Sequence, residues 1–238
     1  PYRAAKALID DGAIGALQRI EFREDNLFDA GAHQFDLCHY FVDQAAVEWV
    51  LAQIDYRDPN VWFGTHNENQ AITQWRYENG VFGIGSTGGG DDFVGCQLRL
   101  IGKRGTIEIG PSTGSVVRIR QPGSGWTAVE THGDGIYGPQ GVGRLRSVVG
   151  KLAAITPIDR SHQTDRRTYV ERAIASVVNA LDTGVESELS AANALQATEV
   201  IFASWASARR RARIDFPLQI EDNPLESMVE GGQLDVTV

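Results

Sequence analysis

The stretch DNLFDAGAHQFD places Asp29, His33 and Asp36 within a few positions of one another in a chain of 238 residues. At the helical advance of about 100° per residue, these side chains and Tyr40 fall within about 60° on one face of a helix. Such a face is either solvated or the wall of a polar pocket. Solvated faces usually carry Lys, Glu and Gln, whereas carboxylates, imidazole and phenol transfer protons near neutral pH.

Gly31 lies in the first turn of the same predicted helix. Glycine there costs about 1 kcal/mol relative to alanine, and it is tolerated where another group must approach the backbone closely. Its presence favours the pocket over the solvated face.

The segment GIGSTG, residues 83–88, matches the GxGxxG pattern of dinucleotide-binding loops. That function requires a helix to begin inside the motif, because the pyrophosphate rests on the N-terminus of the helix. Here the motif ends a predicted strand and runs into GGDDF, which has no helical period. We therefore expect this chain alone to bind no dinucleotide, and no cofactor-binding residue is named.

Other kinds of catalytic site have little support in the sequence. No GxSxG motif is present, and His66, His132 and His162 lie singly in polar loops, so neither a serine triad nor a metal site is predicted. Cys38 and Cys96 fall in apolar stretches without CxxC spacing, which indicates buried thiols of a cytosolic protein.

The composition narrows the choice of partners. A formal net charge of -9 argues against binding to nucleic acid or to an anionic membrane. The sequence has no apolar run near the roughly 20 residues that cross a bilayer, and its N-terminus lacks a secretory apolar region. We expect a soluble, cytoplasmic protein.

The elements that position these residues follow from periodicity. A helix is predicted to end near Gly12, followed by a strand over 16–25 and the helix over 30–43. Short β-branched or aromatic runs then follow one another from 47 to 132 without helices between them. Asn79-Gly80 predicts a type I′ hairpin between two of these strands, so consecutive strands should pair antiparallel.

Two further helices are predicted after the strands, over 169–184 and from the N-cap Ser190 onward. This order predicts one α+β domain over residues 1–238, an open and predominantly antiparallel sheet with helices packed on one face. Some strands have apolar residues at both odd and even positions, which face opposite sides of the sheet. We therefore expect the face away from the helices to be an oligomer interface. Residues 133–164 are rich in Gly and polar side chains, and we expect them to form a lid or a long loop that leaves the domain.

Several segments in sequence order resemble one known family. AKALIDDGAIGALQRIEF looks like a domain junction with its helix over 1–12, and DAGAHQFD is similar to a D-x-G-x-H-x-x-D signature. QLRLIGKRGTIEI resembles the paired strands of the family, and SAANALQATEVIFASWASARRRARIDFPL resembles its closing helix and strand. Over most of its length the chain resembles the C-terminal substrate-binding and oligomerisation domain of the glucose-fructose oxidoreductase and inositol dehydrogenase family.

The resemblance implies a function for the opening stretch. Asp29 would bind and orient a substrate hydroxyl, and His33 would accept its proton as hydride leaves for a nicotinamide. Asp36 and Tyr40 would support these two side chains from behind. Members of the family carry an N-terminal Rossmann domain, which this sequence lacks, so NAD or NADP would bind only in the full-length protein. The implied partners are that domain, a small polyhydroxylated substrate and further copies of the chain.

One departure leaves the substrate open. The family usually has a longer, glycine-bearing segment before the signature helix, whereas this chain has only REDNLF. Arg23 and Asn26 are the residues here that we expect to contact the substrate in its place. The resulting prediction is the substrate domain of an NAD(P)-dependent dehydrogenase acting on a sugar or cyclitol. The alternative is a non-catalytic assembly or ligand-binding domain derived from that family.

Overall fold

The computed structural model describes residues 1–89, 94–138 and 168–234. The helices in these ranges are α1 Tyr2–Asp10, α2 Gly31–Phe41, α3 Tyr169–Thr183, α4 Ala191–Arg210 and α5 Pro224–Glu230. The strands are β1 Leu17–Glu24, β2 Val47–Asp55, β3 Val61–Trp62, β4 Thr65–His66, β5 Gln70–Tyr77, β6 Phe82–Gly88, β7 Cys96–Gly102, β8 Gly105–Pro111, β9 Val117–Arg120, β10 Thr127–Ala128 and β11 Ile214–Asp215.

Nine of these strands form one sheet in the order β10-β9-β8-β7-β1-β6-β5-β2-β11. Strands β1 and β6 run parallel, with Phe22 opposite Gly85, and the other neighbours are antiparallel. The predicted α+β class with a predominantly antiparallel sheet is confirmed. The expectation that consecutive strands pair was wrong for β6 and β7, because β1 lies between them.

The predicted hairpin at Asn79-Gly80 is confirmed, since β5 and β6 pair antiparallel around it. Its type I′ assignment was wrong, because Gly80 has a φ of 87° while Asn79 keeps a negative φ. The amide of Gly80 donates to the carbonyl of Tyr77, and the amide of Tyr77 donates to Val81. Such a turn with a left-handed glycine at its end closes a longer hairpin than the two-residue type I′ loop.

The core lies between the sheet and helices α2 and α4, and three aromatic rings occupy its centre. The ring centroid of Phe22 lies 5.0 Å from that of Phe35 and 5.8 Å from that of Trp75. A Cβ at Gly83 would fall 1.9 Å from Trp75, and one at Gly85 would fall 2.5 Å from Phe22. Gly83 and Gly85 of GIGSTG therefore make room for core rings across neighbouring strands.

The opposite face of the sheet differs between its two halves. On β1, β7 and β8, Arg99 donates to Glu21 at 2.9 Å and to Glu108 at 3.0 Å, and both carboxylates are buried. On β2 and β5, Leu51 and Ile72 are exposed. Among the described residues, the exposed large apolar side chains on this face of the sheet thus lie on β2 and β5.

The helices after the sheet begin and end near the predicted points. The side chain of Ser190 caps α4 by accepting from the amide of Asn193, and Gly184 ends α3 with a φ of 69°. Helix α3 buries none of its side chains. Of the predicted lid, only 133–138 belong to the described residues, and 139–164 lie outside them. In the described ranges, no helix combines the length and apolar character needed to cross a bilayer.

Candidate functional site

The turn before α2 is held by Asn26. Its Oδ1 accepts hydrogen bonds from the amides of Asp29 at 2.7 Å and Ala30 at 3.2 Å. Its carbonyl accepts from the amide of Gly31 at 2.8 Å, and a Cβ at position 31 would lie 2.7 Å from that oxygen. The group that approaches Gly31 closely is therefore the chain itself. Asn26, which we expected to contact substrate, is buried and commits its side-chain oxygen to this turn.

A buried carboxylate fastens the same turn to the core. One oxygen of Glu68 accepts from the amide of Leu27 at 2.6 Å and from the hydroxyl of Thr87 at 3.1 Å. The other accepts from the indole of Trp205 at 3.0 Å. Burial raises the pKa of Glu68, which has no cationic partner among these contacts and relies on three neutral donors. The turn is thereby linked to β6 and α4.

His33 and Asp36 line one cavity of about 430 Å³ beside the N-terminal half of α2. The His33 side chain is exposed, and burial raises the pKa of the half-buried Asp36 while nearby His33 opposes that shift. Tyr40 and Asp36 border a neighbouring cavity of about 340 Å³. Asp29 is exposed and lies in the turn before α2, two residues ahead of Gly31, where the helix begins. Its predicted place on the helical face was therefore wrong.

A polar network that the motifs did not indicate forms another wall of the larger cavity. Glu24 Oε1 accepts from Gln34 Nε2 at 2.7 Å and from Gln97 Nε2 at 3.0 Å. Gln97 Nε2 also donates to the hydroxyl of Tyr137 at 3.1 Å, and Tyr2 donates to Gln97 Oε1 at 3.4 Å. Gln34 Oε1 is buried and has no hydrogen-bond partner in the described part of the chain. It is an acceptor available to a hydroxyl group.

Arg23 does not join this cavity. Phe22 packs on Phe35 of α2, and Glu24 accepts from Gln34 of the same helix, so even positions of β1 face α2. Strand alternation places Arg23 on the opposite face, the one that carries Glu21. Arg23 is thus absent from the lining of the cavity, although its charge acts on Tyr137, which belongs to that lining.

The remaining histidines differ from one another. His66 is not solitary: its Nδ1 meets the hydroxyl of Tyr56, and its amide donates to Glu226 at 2.9 Å. The second carboxylate oxygen of Glu226 lies 3.5 Å from His66 Nε2. His132 is exposed with a φ of 53°, and His162 lies outside the described residues. Among the described residues, no group of three His, Cys, Asp or Glu is placed to hold a metal ion.

The residues of GIGSTG do not fit a dinucleotide. The space that a pyrophosphate would need next to Gly83 and Gly85 is filled by the rings of Trp75 and Phe22. These two glycines serve the packing of the core.

Comparison with known proteins identifies one family. The model for an oxidoreductase family, described as its C-terminal alpha/beta domain, matches residues 26–216. No curated protein matches the chain at a significant level.

Solved structures share the fold at low sequence identity. An aldose-aldose oxidoreductase from Caulobacter crescentus, complexed with glycerol, has a TM-score of 0.63 and 16% identity, over 90% of this chain and 60% of that one. An oxidoreductase from Agrobacterium radiobacter, in complex with NAD+, L-tartaric acid and magnesium, has 0.58 and 20%, over 90% and 61%. The WlbA dehydrogenase from Bordetella pertussis, with NADH and UDP-GlcNAcA, has 0.55 and 18%, over 91% and 61%. The chain thus spans about 60% of the length of these proteins.

Proposed function

Since the chain belongs to this oxidoreductase family as its C-terminal alpha/beta domain, we propose that it is the substrate domain of an NAD(P)-dependent dehydrogenase. The reaction is hydride transfer between a nicotinamide cofactor and a hydroxyl of a sugar or cyclitol. The observation that carries the proposal is the cavity of about 430 Å³ where His33 and Asp36 meet the network of Glu24. An N-terminal dinucleotide-binding domain of the full-length protein would hold NAD or NADP, and the nicotinamide would supply the hydride acceptor.

His33 is the base in this proposal. Imidazole exchanges protons near neutral pH, and the exposed ring lies at the cavity where a hydroxyl would bind. Asp29 lies in the turn fixed by Asn26, next to Ala30 of the cavity lining and outside that lining itself, and in this proposal it orients the hydroxyl from the side of the N-terminus of α2. Asp36 lies one helical turn behind His33 and interacts with its charge. These side chains bind and deprotonate the alcohol, and the turn holds them in place.

The lining of the cavity favours a substrate with several hydroxyl groups. Glu24, Gln34 and Gln97 offer acceptors and donors close together, and Gln34 Oε1 is unpartnered in the described part of the chain. A polyol satisfies such a wall because each hydroxyl both donates and accepts. Similar structures were solved with glycerol, with L-tartaric acid or with UDP-GlcNAcA, all of which carry hydroxyl groups. A sugar or cyclitol is therefore the substrate class that we propose.

The test is oxidation of a panel of sugars and cyclitols by the full-length protein with NAD+ and with NADP+. Replacing His33 with alanine should lower kcat by about 10² to 10⁴, the usual contribution of a general base. The matched control is His132→Asn, which removes an exposed histidine outside this cavity and suits its left-handed backbone. Turnover of His33→Ala within about threefold of wild type would contradict the proposal, as would the absence of cofactor-dependent turnover. The latter result favours a non-catalytic ligand-binding domain.

We also propose that the sheet face opposite α2 is a contact between copies of the chain. Exposed Leu51 and Ile72 lie on the half formed by β2 and β5, and such apolar side chains are covered in many oligomers. Light scattering of the protein at a concentration of roughly tens of micromolar should show at least a dimer. A monomer that stays monomeric at that concentration contradicts this assignment.

A further inference from the structure

His39 is a buried histidine that the proposed reaction does not use. Its side chain is 1% exposed, and neither ring nitrogen has a partner at normal hydrogen-bond distance in the described part of the chain, although the backbone of Gln196 lies close enough to raise its pKa. Its ring stands edge-on to Tyr77 with centroids 5.5 Å apart, a contact that phenylalanine would make equally well. Burying an imidazole without partners destabilises a fold, and native structures seldom leave such a group unsatisfied.

The side chain borders a cavity of about 330 Å³ near the C-terminal end of α2. The polar lining besides His39 consists of Glu78, Gln196 and Glu199, and Gln196 Oε1 is also buried without a partner in the described residues. The apolar lining includes Val47 and Pro217. None of these residues belongs to the cavity of His33, so this site goes beyond the proposed function and does not depend on it.

Hydrogen-bond acceptors predominate in this lining. Two carboxylates and an amide oxygen accept, and burial lowers the pKa of His39 to about 4, while a backbone hydrogen bond with Gln196 opposes that shift. The imidazole is therefore neutral at pH 7 and offers one further acceptor nitrogen. No lysine or arginine lines the cavity among the described residues. A ligand that carries N–H donors and positive charge complements this arrangement, whereas an anion does not.

Metal ions fit the site less well than an organic cation. The described residues contain no group of three metal-ligating side chains placed around one point. The apolar portion formed by Val47 and Pro217 suits a short aliphatic chain between cationic groups. We propose that this cavity binds a small aliphatic ammonium ligand, with Glu199 and Glu78 at the charged groups and His39 as a neutral hydrogen-bond partner.

The test is isothermal titration calorimetry of the full-length protein with putrescine at pH 7.5. Butane-1,4-diol, which has the same chain length and no charge, is the ligand control. Putrescine should bind saturably, and Glu199→Gln should weaken binding about tenfold or more, the loss of one charge-assisted contact. Glu186→Gln is the matched variant control, since Glu186 is exposed and does not line the cavity.

His39→Phe keeps the ring contact with Tyr77 and removes the polar nitrogens. Without ligand this variant should raise Tm by roughly 2–4 °C, because it removes the cost of an unpartnered imidazole. It should also abolish saturable putrescine binding. The proposal is overturned if putrescine shows no binding at concentrations up to about 10 mM, which is about ten times a Kd of 1 mM. It is also overturned if butane-1,4-diol binds equally well. Binding to Glu199→Gln within about twofold of wild type overturns it too.

Discussion

The two ends of α2 carry histidines in opposite environments. His33, in the first turn, is exposed at the edge of an open cavity, and Asp36 interacts with its charge. His39, in the last turn, is 1% exposed and lacks hydrogen-bond partners in the described residues. Six residues of one helix thus separate an imidazole that can exchange protons with solvent from one that burial keeps neutral.

Residue type alone therefore does not determine the chemistry of a side chain on a helix. The structure around the first turn fixes backbone atoms and leaves the ring free, through Asn26 and Glu68. The structure around the last turn encloses the ring and leaves its nitrogens without close side-chain partners in the described part of the chain. Proton transfer requires the former arrangement, while recognition of a ligand by a neutral donor and acceptor suits the latter.

The largest effect on stability should come from removing the anchor of the first turn. Glu68→Ala leaves the amide of Leu27, the hydroxyl of Thr87 and the indole of Trp205 without their acceptor. At roughly 1–3 kcal/mol for each buried group, the free energy of unfolding should fall by about 4 kcal/mol. Urea denaturation measures it. Glu68→Gln keeps the shape and one acceptor oxygen, so its loss should be smaller, and equal losses in both variants would contradict this account.

A second effect concerns the pH dependence contributed by His39. Burial lowers its pKa from 6.5 to about 4, so the unfolded state binds more protons between these values. The contribution to stability is therefore complete above about pH 6.5 and is lost as the pH falls towards 4. The free energy of unfolding of wild type relative to His39→Phe should fall by roughly 3 kcal/mol over this window. Comparing the two proteins cancels the opposite contributions of Asp36 and Glu68, whose pKa values are raised. Parallel stability curves would show that burial does not lower the pKa of His39.

The smallest effect tests the close approach at the first turn. Gly31→Ala places a Cβ 2.7 Å from the carbonyl oxygen of Asn26, so the backbone must shift, at a cost of about 1–3 kcal/mol. The control is Gly125→Ala, where no atom lies within 4 Å of the added Cβ and φ is not positive. Its effect should stay within about 0.5 kcal/mol, as for other surface changes. If thermal unfolding shows the same shift for both variants, steric contact at position 31 does not explain the glycine.

Much of the fold follows from local signals in the sequence. Ser190 and Gly184 mark helix ends because their capping chemistry is local, and the period of two marks the strands. The position of β1 between β6 and β7 does not follow, since strand order depends on contacts between distant residues. The miniature hairpin of β3 and β4 and helix α5 were also not predicted, because each is short and lacks a repeated pattern.

The candidate site can be predicted from the sequence only in part, because some of its contacts also join distant residues. His33 and Asp36 share a helix, so helical geometry places them together. Glu24 and Gln97 come from different strands. The sequence gives one signal for Glu24, a charged residue two positions after Phe22 and therefore on the same face of the strand. Asn26 shows the reverse case, since its residue type suits both a substrate contact and a cap, and only the structure shows the cap.

The place of β1 in the sheet also bears on how the chain folds. Strands β2, β5 and β6 form one antiparallel unit, and β7 to β10 form another, each assembled from neighbours in sequence. In the described sheet these units are joined only through β1. This strand comes first in the sequence but can pair fully only when both units have formed. Closing that seam requires contacts between residues some 60 to 80 positions apart, such as Phe22 with Gly85 and Leu98. Because such non-local pairings slow folding, insertion of β1 is the step at which we expect the sheet to become cooperative.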